Sequence, residues 1–130
     1  MPFAYDSLCS SSRMRAIAAL SGFLAVALGA FGAHALRPTL ILLNTADTWG
    51  TASLYHLVHS VALLCIALAR PTARLGFWLM LGGIVLFSGS LYVFALTGMK
   101  SVAPIAPVGG TFLLAGWLVL AFGMRDAERS

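Results

Sequence analysis

Charge is scarce in this sequence, and acid is scarcer still. Across 130 residues there are four Asp and Glu against eight Lys and Arg, so charged residues make up 9% of the chain while hydrophobic residues make up 60%. Soluble domains carry about a quarter charged and about half apolar residues. A chain this poor in charge is a membrane protein, and one small domain fits its length. Asp47 is the one acid among the long apolar stretches; Asp6, Asp126 and Glu128 lie towards the ends. Cysteine is almost missing too. Cys9 falls in the N-terminal tail and Cys65 in the inner half of an apolar run, so both are expected as free thiols in a reducing compartment. The formal charge of +4 excludes little alone, but the basic residues stand singly or in pairs between apolar runs rather than on one face, which argues against nucleic acid as a partner.

The apolar runs come next. Four are long enough to cross a hydrocarbon core of about 30 Å, which needs roughly 20 residues of helix: 16–36, 49–69, 75–96 and 103–123. The expected fold is all-α, an integral membrane bundle of four transmembrane helices over 16–123, flanked by a tail at 1–15 and another at 124–130. Arg13, Arg15, Arg70, Arg74, Arg125 and Arg129 fall on one side of such a bundle, with Arg37 and Lys100 on the other. By the positive-inside rule both termini are cytoplasmic, which in a bacterial cell makes this a multi-pass inner-membrane protein. Trp49 and the Phe77–Trp78 pair lie at span ends, where amphipathic rings favour the headgroup region. The first span also imitates a signal peptide, with Arg13 and Arg15 before it and Ala33-His34-Ala35 after it, but its apolar run is longer than the usual 7–15 residues and rich in small residues, so retention is expected.

Small residues recur at helical spacings. Ser21, Ala25, Gly29 and Ala33 stand four apart and are expected to face protein, with Gly22 and His34 on the neighbouring row. Gly109, Gly116 and Gly123 recur every seven residues in the fourth span, as Gly76, Gly83 and Ser90 do in the third, the spacing of a tightly packed left-handed bundle. Gly22, Gly29, Gly83, Gly109 and Gly116 are therefore expected at helix contacts. No strand precedes these glycines and no Gly-Lys-Ser/Thr follows them, so a phosphate-binding loop is not indicated.

Polar residues in the spans are few and concentrated. Asn44, Thr48, Thr51, Tyr55 and His59 fall along one face of the second span, with His56 three residues before His59 and Asp47 or Thr48 available as a cap. With the termini inside, His34, Tyr55, His56, His59, Ser88, Ser90 and Tyr92 all belong to the outer half, where unpaired polar groups cost several kcal/mol each. They are expected to face one another as one cluster.

The segments GAFGAHAL from Gly29, YHLVHSVALL from Tyr55, FSGSLYVFALTG from Phe87 and PIAPVGGTFLLAGWL from Pro104 resemble, in this order, the YgdD-like family of small membrane proteins of unknown function. The resemblance implies a four-helix membrane fold with His34, Tyr55, His59, Ser88, Ser90, Tyr92, Pro107, Gly109, Gly110 and Trp117 at motif positions, and it implies no reaction. Two functional readings stay open. In the first, the polar residues are interhelical glue and the chain is a structural, scaffold or accessory protein in the lipid bilayer, associating with other membrane proteins or with itself. In the second, the histidine and tyrosine cluster binds a metal or a small molecule, or moves protons. The metal question is open at this point, although carboxylates to orient metal-bound imidazoles are lacking. An enzyme built on Ser88 or Ser90 with a histidine lacks an acidic orienter, so no catalysis and no cofactor are expected.

Overall fold

The computed structural model describes residues 3–69 and 73–127, with side chains for 11–69 and 73–123. Among them the chain forms five helices: α1 (Phe3–Ala33), α2 (Arg37–Leu42), α3 (Ala46–Ala69), α4 (Arg74–Thr97) and α5 (Ile105–Ala127), with one 3₁₀ turn at Lys100–Val102 before α5. Four stretches are long and apolar enough to span a membrane, Ser11–Ala33, Ala46–Ala69, Arg74–Thr97 and Lys100–Gly123. At 1.5 Å per residue each reaches about 35 Å, enough for the hydrocarbon core.

Several boundaries differ from those expected. Helix α1 already runs from Phe3, through the segment assigned to a tail, and it stops at Ala33 instead of Leu36. Pro38 explains the stop: continued as helix, its ring would meet the carbonyl of His34. The chain turns instead, and Pro38 enters the first turn of the short α2. Asn44 then takes a positive φ of 53° to turn the chain into α3, a conformation Asn tolerates better than most residues. Because α3 begins at Ala46, neither Asp47 nor Thr48 caps it. Thr45 stands at that position, and its hydroxyl donates instead to the Ala95 carbonyl at 2.7 Å, tying the start of α3 to α4.

The helices pack as a row. Helices α3 and α4 form the middle, α1 lies on α3 and α5 lies on α4. The two outer seams, α1–α3 and α4–α5, run along glycine. A Cβ on Gly109 would overlap the backbone of Phe87, one on Gly116 would stand 2.6 Å from Met80 Cγ, and one on Gly83 would run into Leu113, so α4 and α5 approach more closely than any larger residue permits. Gly22 fits more loosely, 3.9 Å from Ser60. Gly29 does not lie at a contact: nothing comes within 4 Å of its would-be Cβ. The reason is angular. Four residues turn a helix through about 400°, so a four-residue row drifts about 40° per step, whereas alternating steps of four and three hold one face. The buried face of α1 accordingly follows Met14, Ala18, Ser21 and Ala25, then reaches Gly32, where a Cβ would overlap the Trp49 indole.

Two apolar clusters fill the seams. One, towards the termini, joins Met14, Ala18, Leu63, Phe77, Met80 and Leu113; the other, towards the loops that hold Arg37 and Lys100, joins Leu40, Trp49, Ala52, Tyr92 and Ala95. Trp49 is thus no headgroup anchor. It is buried, donates to the Leu28 carbonyl at 3.0 Å and packs on Tyr92 with ring centroids 4.6 Å apart. Trp78 is exposed, as a headgroup ring would be.

Candidate functional site

Between the two apolar clusters lies a polar layer, and the expected single cluster divides there in two. The first part joins α1 and α3 near the middle of their spans to Tyr92 in the last third of α4. Ser60 donates to the His56 carbonyl at 2.7 Å, Ser21 and Ser60 hydroxyls meet at 2.6 Å, Ser21 Oγ lies 3.3 Å from His56 Nε2, and His56 Nδ1 lies 3.4 Å from the Tyr92 hydroxyl. Ser53 Oγ is 3.4 Å from the same Tyr92 oxygen. The proton count follows from the partners. A carbonyl only accepts, so the Ser60 hydrogen is committed to it and Ser21 must donate to Ser60. A neutral His56 then has to donate from Nε2 to Ser21, which leaves Nδ1 as an acceptor beside the Tyr92 hydroxyl, whose hydrogen is directed at Ser53. Buried His56, Ser21 and Ser60 thereby satisfy one another across the α1–α3 seam.

The second part joins α3 and α5 across α4. His59 Nδ1 donates to the Tyr55 carbonyl at 2.8 Å within α3, leaving Nε2 as the acceptor for the Trp117 indole N–H at 3.2 Å. The Tyr55 ring stacks on His59 at 5.8 Å and leans on Phe87 at 4.7 Å. The two buried histidines of α3 thus require opposite neutral tautomers, because their carbonyl and hydroxyl partners differ. Tyr55, His59, Phe87, Pro107 and Trp117 line a groove of about 500 Å³ on this side, while Ser21, Leu24, His56, Ser88 and Tyr92 line another of about 370 Å³ between α1 and α4.

Three expected members do not join either group as foreseen. His34 lies past the end of α1, exposed beside Ala27, Ala30, Phe31 and Ala35, and does not approach Tyr55 or His59. The helix stop at Ala33 leaves it just past the first apolar span, where an ionisable residue costs less than inside one. Ser90 is buried but bonds only to the Phe87 carbonyl, 2.9 Å away in its own helix. Ser88 faces the α1–α4 groove without a hydrogen bond. Among the described residues no three His, Cys, Asp or Glu side chains stand together as a metal would need, so the three histidines do not form one site. Cys65 is a free thiol exposed on α3, and the side chain of Cys9 lies outside the described residues. From the sequence, Ser21 reads as a small packing residue, and nothing there pairs it with His56 and Ser60 or pairs the Trp117 indole with His59. Matching depth was the available signal: Ser21 lies near the middle of the first span, as His56 and Ser60 do of the second.

Comparison with known proteins agrees with this architecture. The family described as Protein of unknown function (DUF423) matches residues 28–110, which include both histidines of α3. The chain belongs to this family. Its relatives include the UPF0382 inner membrane protein YgdD of Escherichia coli, 40% identical over 127 residues that cover 92% of this chain and 95% of that protein. A UPF0382 membrane protein of Haemophilus influenzae is 45% identical over 112 residues, 82% of this chain and 89% of its own length. The UPF0382 membrane protein YwdK of Bacillus subtilis is 38% identical over 110 residues, with coverage of 80% and 89%. No solved structure matches. Family membership and the four apolar helices establish a membrane protein of the YgdD-like, uncharacterised family, as the resemblance implied.

Proposed function

We propose that this chain is a non-enzymatic structural or accessory protein of the inner membrane, with both termini cytoplasmic, which packs against other helical membrane proteins. The observation that carries this reading is the use of its buried imidazoles: His56 bonds towards α1 and α4, and His59 bonds towards α5, so both serve to hold its own helices together. Bonds of this kind contribute about 0.6 kcal/mol on average between membrane helices, modest but directional, and they set helix rotation. The outer helices of the row then present long apolar faces, Leu20, Phe23 and Val26 on α1 and Leu114, Leu118 and Phe122 on α5. Orientation is supported by Arg13, Arg15 and Arg74 at the end of the row that carries the termini, against Arg37 and Lys100 at the other; Arg70 and Arg129 lie outside the described residues.

Photo-crosslinking side chains placed at Phe23 and Leu118 in growing cells test the reading. At least one position is expected to give a discrete adduct with a second membrane protein, and the membrane level of that protein is expected to fall when the chain is deleted. Lipid adducts alone at both positions, with an unchanged membrane proteome on deletion, would overturn it.

A further inference from the structure

Buried hydroxyls in the described spans find a partner either across a seam, as Ser21 does on Ser60, or in their own helix. Ser60, Ser90, Thr97 and Thr111 each donate to a carbonyl three or four residues back, at 2.6–2.9 Å, the ordinary way to satisfy a hydroxyl inside a membrane helix. Ser88 does neither. It is 1% exposed, and its Oγ has no partner, although a carbonyl of its own helix is available a turn away. A buried hydroxyl left unpaired destabilises the chain that holds it, and an acceptor from outside the chain, met by a turn of the side chain into the adjoining groove, would relieve that cost.

The surroundings of Ser88 say what kind. It lines the groove of about 370 Å³ between α1 and α4, within the range of about 300–1,000 Å³ typical of small-molecule sites. The rest of the lining is aliphatic, with Ile17, Leu20, Leu24, Leu81, Ile84 and Val85 prominent, and it includes no Asp, Glu, Lys or Arg. Leu20 and Val85 are 59% and 63% exposed, so the groove opens sideways, towards hydrocarbon rather than water. The polar groups that share it, Ser21, His56 and Tyr92, are already bonded to one another and form a wall without free charge. Gly89 widens the groove beside Ser88: a Cβ there would meet nothing within 4 Å.

We infer that this groove binds a neutral, lipid-soluble molecule with an apolar tail and a carbonyl-type acceptor oxygen, such as a long-chain ketone, ester or quinone, and that Ser88 donates the hydrogen bond that holds its head near the membrane midplane. A charged headgroup has no counter-ion in the lining and would have to give up its hydration at a depth where that is very unfavourable. The tail lies along Leu20, Leu24 and Val85 and leaves through the open side. Entry needs no passage through water, since the ligand arrives by lateral diffusion in the bilayer.

Thermal unfolding and native mass spectrometry of the full chain in mild detergent, with decyl benzoquinone as the probe and decanoate as the charged counterpart, test the inference. The wild type is expected to show a one-to-one adduct and a Tm that rises with probe concentration. Ser88→Ala is expected to be at least as stable as wild type without probe, because it deletes an unpaired hydroxyl, while its probe affinity falls by about tenfold, the loss of one hydrogen bond of about 1.4 kcal/mol. Gly89→Leu is expected to fold, since space is open there, and to abolish the shift by filling the groove. Leu114→Trp, in the other groove, should leave the shift unchanged. Equal probe shifts in wild type and Gly89→Leu, or an equal shift with decanoate, would overturn the inference, and so would a loss of probe-free stability in Ser88→Ala.

Discussion

Two glycines three residues apart in α1 make opposite predictions, although both lie in the same small-residue-rich turn of Gly29 to Ala33. At Gly32 a methyl group would overlap the Trp49 indole, so Gly32→Ala must displace that ring. Displacement breaks the 3.0 Å bond from Trp49 to the Leu28 carbonyl and the 4.6 Å pairing with Tyr92. The bond is worth about 0.6–1.7 kcal/mol between membrane helices and the ring pair about 0.5–1.5 kcal/mol. Forcing volume into a filled site adds about 1–3 kcal/mol, while alanine returns about 1 kcal/mol of helix propensity. Gly32→Ala should therefore destabilise the chain by about 3 kcal/mol. Gly29→Ala meets nothing within 4 Å and should range from neutral to about 1 kcal/mol stabilising. Reversible unfolding in mixed micelles measures both. Trp49 can be followed by fluorescence in a background carrying Trp78→Phe and Trp117→Phe, where only Gly32→Ala should shift the emission. If the overlap is the cause, Trp49→Leu should relieve Gly32→Ala, giving a non-additive double mutant. Equal stabilities for the two alanine variants, or strict additivity with Trp49→Leu, would refute steric contact as the basis of the α1–α3 seam.

The polar layer gives a second pair of expectations. A double-mutant cycle of Ser21→Ala and His56→Ala should show coupling of about 0.6 kcal/mol or more, while His34→Ala and His59→Ala should add, because His34 stands apart from the layer; the reverse pattern would contradict the structure. Nitrogen-15 NMR of labelled histidine should find His56 as the Nε2–H tautomer and His59 as the Nδ1–H tautomer, and matching tautomers would break the hydrogen-bond assignment. Trp117→Phe should cost about 0.6 kcal/mol and perturb the His59 signals without moving those of His56; a change confined to His56 would disprove the division into two groups. Cysteine labelling at Ser11 and Glu128 should report one side of the membrane and labelling at Asn44 the other, whereas opposite sides for the termini would remove the four-span arrangement.

The four spans were legible in the sequence because a bilayer asks a one-dimensional question: whether some 20 consecutive residues can leave water with their backbone bonds satisfied. The seven-residue glycine spacing of the third and fourth spans was legible for a similar reason, since Gly76 and Gly83 had to share one face of α4, and Gly109 and Gly116 one face of α5, whatever they met. The role of Gly29 and the neighbours of the histidines were not. His56 and His59 are three residues apart, about 60° around one helix, and a single sequence cannot say which neighbour comes up to each side. Their assignment to Ser21 and Tyr92 on the one hand, and to Trp117 on the other, depends on the rotation of α1, α4 and α5, which packing elsewhere in the seams sets. Ser88 shows the same limit. Its sequence position puts it in the third span, but only the packing of α1 against α3, leaving a gap before α4, makes its hydroxyl the unpaired donor of a groove. Composition and periodicity determined what each helix is, because those depend on neighbours along the chain; packing decided what each polar group touches, because that depends on the relative rotation of helices that are distant in sequence.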